Sequence, residues 1–512
     1  MLEARTEDPP SFEYSDALPL HVQADLLVIP TFRGSPPEPG TQDLGLDDAY
    51  ALANLTGEEG EDLLLVRRPG ESFRAGAVLL VGLGEPERVN LDAIRRGAQR
   101  AGAKARRFGT VATTLPQACP GAPELAVRAT IEGFSTGIYR FAAYRTTDGA
   151  SDGRTPERIA LLGRPEWAEP EIRMAVDAAA AVERAIAWAK TLVDTPAAEL
   201  TPARLAERAS EMAGRHGLGL RVLDEVDLAE GGFGGILGVG AASAHPPRLI
   251  ELRYRPPTGV AGTSIALTGK GVTFDAGGLA LKKLSEMVGM KSDMAGAAAV
   301  LAAMRAIAEL APPDVEVLAA IPTAENMPGG SALRPGDVLR HRNGRCTEVV
   351  DPDAEGRLLL ADALAYLAES RPAALVDAAT LTYSCIAALG DQITAAMGND
   401  RAVMDAILRA GEAVGEPMWE LPLWQRYRTQ LGSGIADSRN EGEEGVAGAI
   451  VAGLFLEPFV SGIPWVHLDI GGSGYRDEPS EPLPAGATGV PTRTLVRFVT
   501  EYGLERRAEG GS

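Results

Sequence analysis

Cysteine is scarce in this chain: Cys119, Cys346 and Cys385 are scattered, odd in number and form no CxxC pair. That excludes a disulfide framework and a cysteine zinc site. Histidine is nearly as rare. His21, His216, His245, His341 and His467 make no HExxH or comparable ligand pair, which leaves histidine-zinc protease chemistry without a foothold. Serines flanked by small residues exist, such as Ser433 in GSGIAD, but no GxSxG elbow leads on to an Asp and a His. An excess of positive charge is missing too. The formal net charge of -21 repels phosphate backbones and anionic lipid, so neither nucleic acid nor a membrane surface is the expected partner. No apolar run is long enough to span a bilayer, and the opening MLEARTEDPPSFEYSD is polar and acidic where an export signal needs a basic then an apolar segment. A cytoplasmic location is the resulting expectation.

What is present reads as an α/β protein of two domains, since 512 residues exceed one ordinary core. Ala24 to Pro30 (ADLLVIP) and Ala77 to Gly82 (AVLLVG) are short apolar runs of the kind that fill a buried parallel sheet. Leu91 to Arg107 has helical apolar spacing. Residues 1–165 are therefore expected to form a first α/β domain. The Ala-rich segment 166–192 reads as a linking helix, and 193–512 as a larger α/β domain with a mixed, mainly parallel sheet. In that larger domain SIALTG, VEVLAAIP, AALVDAATL and PWVHLDIGG are strand-like, whereas GAAAVLAAMRAIAEL and LLLADALAYLAES are helical. The polar tail Glu505 to Ser512 is expected to fray.

Chemistry concentrates between Lys270 and Arg357. Lys270-Gly271-Val272-Thr273-Phe274-Asp275-Ala276-Gly277-Gly278 is a strand running into a glycine loop, with Lys282 shortly beyond. It is not a phosphate loop, because Gly271 rather than Ser or Thr follows the lysine and Ser264 stands where that motif needs its first glycine. Asp293 then precedes a long apolar helix, where its plainer reading is an N-cap. In Asp351-Pro352-Asp353-Ala354-Glu355-Gly356-Arg357, residues two apart would share a face if the segment is extended. Asp353, Glu355 and Arg357 would then project together, the acids repelling unless a cation sits between them. The alternative is a solvated acidic turn before the next helix. Taken together, four carboxylates, Asp275, Asp293, Asp353 and Glu355, suffice to hold two divalent ions. Lys270 could join them only as the neutral amine.

Through GKGVTFDAGG, MKSDMAGAAAV and DPDAEGRLLLADAL the chain resembles the leucyl (cytosol) aminopeptidases. The likeness continues in LVDTPAAELTP, ENMPGGSALRPGDV, DAATLT, WVHLDIGG and GATGV. The resemblance implies a small macro-like N-terminal domain, a catalytic α/β domain and a hexamer acting on short peptides. It implies two metal ions, Mn or Zn, held by Lys270, Asp275, Asp293, Asp353 and Glu355, with Asp275 and Glu355 bridging. It also places Lys282 and Arg357 in catalytic roles, the arginine holding a bicarbonate that serves as base. Met290, Thr380, Leu381 and Tyr383 fall on substrate-binding positions. The chain departs from the family pattern at Ala276 (usually Ser), Ala295 (Gly), Asp351-Pro352 (Asn-Thr) and Tyr383 (Gly). A phenol at 383 is expected to shrink the pocket for the first side chain and to favour small or unusual N-terminal residues. The competing expectation is a catalytically weak or silent scaffold that keeps the fold.

Overall fold

The computed structural model describes residues 9–34, 55–67, 73–119, 121–145, 155–259, 262–480 and 483–510. The first eight residues of the polar opening segment and the last two of the tail therefore lie outside the described residues. Among the described residues no helix is long and apolar enough to cross a membrane. The chain forms two compact units, residues 1–187 with 479–484, and residues 188–478 with 485–512. The helix Glu169–Asp194 contains the point of division.

The first unit is built on β1 (Ser11–Ser15), β2 (Leu26–Thr31), β3 (Asp62–Val66), β4 (Ala77–Gly82), β5 (Thr110–Thr113) and β6 (Arg158–Leu162), in the order β1-β6-β5-β2-β4-β3. All neighbours are parallel except β3 and β4. The continuous apolar runs LLVIPT and AVLLVG are buried along their whole length, as central strands covered on both faces must be. Helices Leu91–Ala105 and Pro123–Ile138 pack tightly because glycines line their contact: a Cβ on Gly137 would lie 2.0 Å from the Gln99 carbonyl oxygen.

The second unit holds a nine-stranded sheet. Its strands are β7 (Gly219–Leu223), β8 (Arg248–Tyr254), β9 (Thr263–Gly269), β10 (Gly271–Asp275), β11 (Val315–Asn326), β14 (Ala374–Ala379), β15 (Thr394–Gly398), β16 (Met418–Glu420) and β18 (Trp465–Asp469). Short strands β12 (Val338–Arg340), β13 (Cys346–Glu348) and β17 (Ser438–Arg439) form a separate three-stranded sheet. In the large sheet the order is β16-β15-β18-β14-β9-β11-β8-β7, with β10 beside β11. The run β18-β14-β9-β11-β10 is parallel throughout, while β15, β8 and β7 join antiparallel. The fold is thus mixed α/β with mainly parallel sheets.

Helices Ala295–Leu310 and Gly356–Ala368 pack on this sheet and are almost wholly buried, which is why their sequences are apolar all round. Leu358, Leu359, Leu360, Leu364 and Leu367 have no exposed surface, and each contributes roughly 1.5–3 kcal/mol by burial. Parallel strands carry their carboxyl ends to one edge of a sheet, where α/β proteins bind ligands. Lys270, Asp275, Asn326, Thr380 and Asp469 all stand at or just beyond such ends.

The tail differs from expectation: the last helix, Thr492–Gly510, continues well past Glu505. Cys385 is buried, whereas Cys346 is only half-buried.

Candidate metal centre

Each functional side chain is placed by the end of an element. Lys270 follows β9 and is buried; its Nζ lies 2.8 Å from Asp293 Oδ1 and 2.7 Å from Glu355 Oε1, and it donates to the Thr380 carbonyl at 3.0 Å. Asp275 closes β10. There Gly277 and Gly278 take positive φ, a conformation glycine adopts at little cost, and the Gly277 amide donates to Asp275 Oδ1 at 2.8 Å. Lys282 returns from the loop with Nζ 2.9 Å from Asp275 Oδ2 and 2.6 Å from Asp353 Oδ1.

Asp293 is not a helix cap. The helix Ala295–Leu310 has no side-chain cap, and Asp293 instead accepts the Thr380 hydroxyl at 2.7 Å and faces Lys270. Nor is Asp351 to Glu355 extended. Asp351 Oδ1 accepts the Asp353 amide at 2.9 Å, which curls the segment into a turn, and Glu355 already has helical backbone angles. The two acids therefore reach different lysines, Asp353 toward Lys282 and Glu355 toward Lys270.

Asp275, Asp293 and Glu355 are buried and each brings one oxygen to within 4.8 Å of the others. Burial, the Lys270-opposed repulsion of Glu355 and that of Asp275 push the Asp293 carboxyl well above the ordinary range. Burial and Asp275 likewise raise Glu355, and they push Asp353 up to about 7. Burial pulls the Lys270 ammonium down, but Asp293, Glu355 and Asp275 outweigh it and hold the proton on. The neutral amine that the sequence calls for thus depends on cations first neutralising those carboxylates. Asp293 Oδ2 is buried with no hydrogen-bond partner. Hard oxygen donors, mutual repulsion and an orphaned carboxylate oxygen are what a divalent cation requires, and the residues fit one.

Arg357, on the first turn of its helix, is 3% exposed. Its Nη1 donates to the Asn440 carbonyl at 2.5 Å and its Nη2 pairs with Glu441 Oε2 at 2.7 Å. A cavity of about 520 Å³ opens over the cluster, lined by Lys270, Asp275, Lys282, Asp293, Asp353 and Arg357. Met290, Thr380, Leu381 and Tyr383 line it as well, and Glu355 lies beneath, 1% exposed. All the residues singled out from the sequence therefore converge on one place.

Others were not singled out. Asn326 at the end of β11 donates to Asp275 Oδ1 at 2.9 Å and to the Pro352 carbonyl at 3.1 Å, tying two loops together. Asp469 accepts the Leu381 amide at 3.1 Å and the Thr382 hydroxyl at 2.7 Å, which fixes the strand-end loop that carries Thr380. Glu441 was also passed over. Asn326 stands in ENMPGG and Asp469 in WVHLDIGG, so position within a motif was the available signal for both.

Fold and site together define an α/β protein with a buried cluster of carboxylates and lysines that could hold a cation. The catalytic-domain model of the cytosol aminopeptidase family matches residues 187–496, and the family's N-terminal-domain model matches residues 41–148. The chain belongs to the cytosol aminopeptidase family, and it is a metal-dependent aminopeptidase, a hydrolase acting on peptides. It is 42% identical over 489 residues to a probable cytosol aminopeptidase of Roseiflexus castenholzii, covering 94% of this chain and 98% of that protein. To the probable cytosol aminopeptidase of Streptomyces coelicolor it is 41% identical over 505 residues, covering 93% and 95%. Among solved structures, a tomato leucine aminopeptidase mutant superposes with a TM-score of 0.85 at 32% identity, over 97% of this chain and 98% of that one. The bottromycin maturation enzyme BotP in complex with Mn superposes with a TM-score of 0.83 at 35% identity, over 94% and 100%.

Proposed function

We propose that the chain removes the N-terminal residue of short peptides with the help of two divalent cations, which Lys270, Asp275, Asp293, Asp353 and Glu355 would hold. The observation that carries this reading is the buried convergence of Asp275, Asp293 and Glu355, with Asp293 Oδ2 left unpartnered. When bound, the cations, Mn or Zn, supply Lewis acidity that lowers the pKa of a water and polarises a peptide carbonyl.

The protein's own groups do the rest. Lys282 remains an ammonium, because the pull of burial is outweighed by Asp275, Glu355 and Asp353, and it faces the cleft to stabilise negative charge developing on the scissile carbonyl oxygen. Arg357 holds an anion, bicarbonate by analogy with the family, that accepts a proton from the attacking water. Thr380 and Leu381 bind the substrate backbone, and Met290 supplies apolar lining for its first side chain. Tyr383 narrows that space and favours small or unusual N-terminal residues. The names of the relatives support a cytosolic setting.

The test compares alanyl-glycine with its N-acetylated form, using metal-depleted protein with and without added Mn or Zn. Cleavage restricted to the free-amine peptide and dependent on restored metal is expected. Equal cleavage of the acetylated peptide, or a rate indifferent to metal, would overturn the reading.

A further inference from the structure

Three segments of the site are tied together at Asn326. This residue closes β11 opposite Asp275, the last residue of β10, and its carbonyl accepts the Ala276 amide at 2.9 Å. Its side chain is buried, and Nδ2 donates to Asp275 Oδ1 at 2.9 Å and to the Pro352 carbonyl at 3.1 Å. Both partners are acceptors, so only the amide nitrogen can face them, which fixes the orientation of the side chain. The glycine loop closes over its other end: a Cβ on Gly278 would lie 2.8 Å from Asn326 Oδ1 and 3.4 Å from Pro352 Cβ. Asp275 Oδ1 thus receives both the Asn326 side chain and the Gly277 amide, while Asp275 Oδ2 is the oxygen that meets Lys282. The Pro352 carbonyl belongs to the peptide group that supplies the Asp353 nitrogen, so the amide that holds Asp275 also holds the backbone of Asp353. The two carboxylates converge, Asp275 Oδ2 and Asp353 Oδ1 lying 2.9 and 2.6 Å from the Lys282 Nζ. Asp293 and Glu355 are held from elsewhere, Asp293 by the Thr380 hydroxyl and both by Lys270.

We propose that Asn326 is a positioning residue that sets the spacing of Asp275 and Asp353 for the one cation these two would share, whereas a cation beside Lys270, Asp293 and Glu355 depends on it little. This rests on the two-cation reading above. Carboxylates that hold a cation are oriented by their outer hydrogen bonds, and a donor shared between two of them makes their placement a single event. Without the Asn326 amide, Asp275 keeps one donor and is free to turn. The turn that carries Asp353 loses its tie to β11, and the mutual repulsion of the two acids drives them apart. One of the two cations is then weakened selectively.

The experiment titrates Mn into metal-depleted full-length wild type, Asn326→Ala and Asn326→Ser, after melting temperatures have shown that each is folded. Serine keeps a hydroxyl but is too short to span both acceptors, and it decides the matter should the alanine variant fail to fold. Binding is followed by calorimetry, and the electron paramagnetic resonance of the Mn distinguishes coupled pairs from isolated ions. Wild type is expected to take up two ions as a coupled pair. The variants should bind one ion as tightly as wild type and the other about 10–100-fold more weakly, with isolated rather than coupled Mn at two equivalents. Turnover of an alanyl dipeptide by the variants should return as Mn is raised by the same factor. Two ions bound by the variants with wild-type affinities, an equal weakening of both ions, or failure of both variants to fold would overturn the inference alone. A wild type that takes up fewer than two ions would overturn the two-cation reading and this inference with it. Two ions in wild type without cleavage of any peptide would overturn the peptidase reading, and the binding titrations would still decide the role of Asn326.

Discussion

Tyr383 begins a short helix at the rim of the cleft, 57% exposed, with its ring centroid 5.7 Å from the Lys282 ammonium. On the proposed reading, a phenol in that place takes up room that a large N-terminal side chain needs, and pockets discriminate roughly 10–200-fold per methylene. Replacing Tyr383 with Gly is therefore expected to raise the ratio of kcat/KM for leucyl over alanyl dipeptides by about tenfold or more. An unchanged ratio in a dipeptide panel would mean the ring lies aside from the substrate. At this scale the sequence was most legible where unlike residues crowd a short motif: Lys270 and Asp275 break an apolar, glycine-rich run, Asp293 stands just ahead of a long apolar helix, and Asp353 and Glu355 alternate just ahead of another. Asn326 and Glu441 were not legible in the same way, because what they do is set by partners far along the chain, Asp275 and Arg357, brought near by strand ends and loops.

At the scale of elements, continuous apolar runs announced the central strands, and β4 falls on the residues expected of it. The edge strand β1 did not announce itself. It lies in a polar opening segment, and a half-exposed edge strand needs few apolar residues once β6 supplies its hydrogen bonds. At Asp351 the sequence leaves an extended segment and a turn both open, and the turn forms because the side chain of Asp351 satisfies the Asp353 amide locally, so no ladder is needed. The central strands also hold a buried histidine–aspartate pair. His467 Nδ1 lies 2.6 Å from Asp377 Oδ1, and Asp377 Oδ2 accepts the Trp465 indole at 2.6 Å. Burial pulls the His467 imidazolium down, but Asp377 more than reverses this and raises it above the ordinary value. A raised histidine pKa contributes stability that is fully present below the unfolded value of about 6.5 and is lost as pH climbs through the folded one. The stability gap between wild type and His467→Gln, measured by denaturant unfolding, should accordingly narrow as pH rises from about 6.5. A gap constant across that range would show that the pair stays neutral.

At the scale of the whole molecule, the family relationship makes a silent scaffold the less favoured reading. Assembly follows from the resemblance rather than from any one residue: we expect a homo-hexamer, read by light scattering as about six chains of 53.6 kDa, and a monomeric mass would refute it. The central claim is that the buried carboxylates bind the cations that make the enzyme work. It is tested most directly by counting divalent ions in wild type and in Glu355→Ala, each after depletion and reloading with Mn or Zn, alongside turnover of an alanyl dipeptide. Two ions per chain with turnover in wild type, and fewer ions with none in the variant, is the predicted result. Full metal content and full turnover in Glu355→Ala would contradict the account.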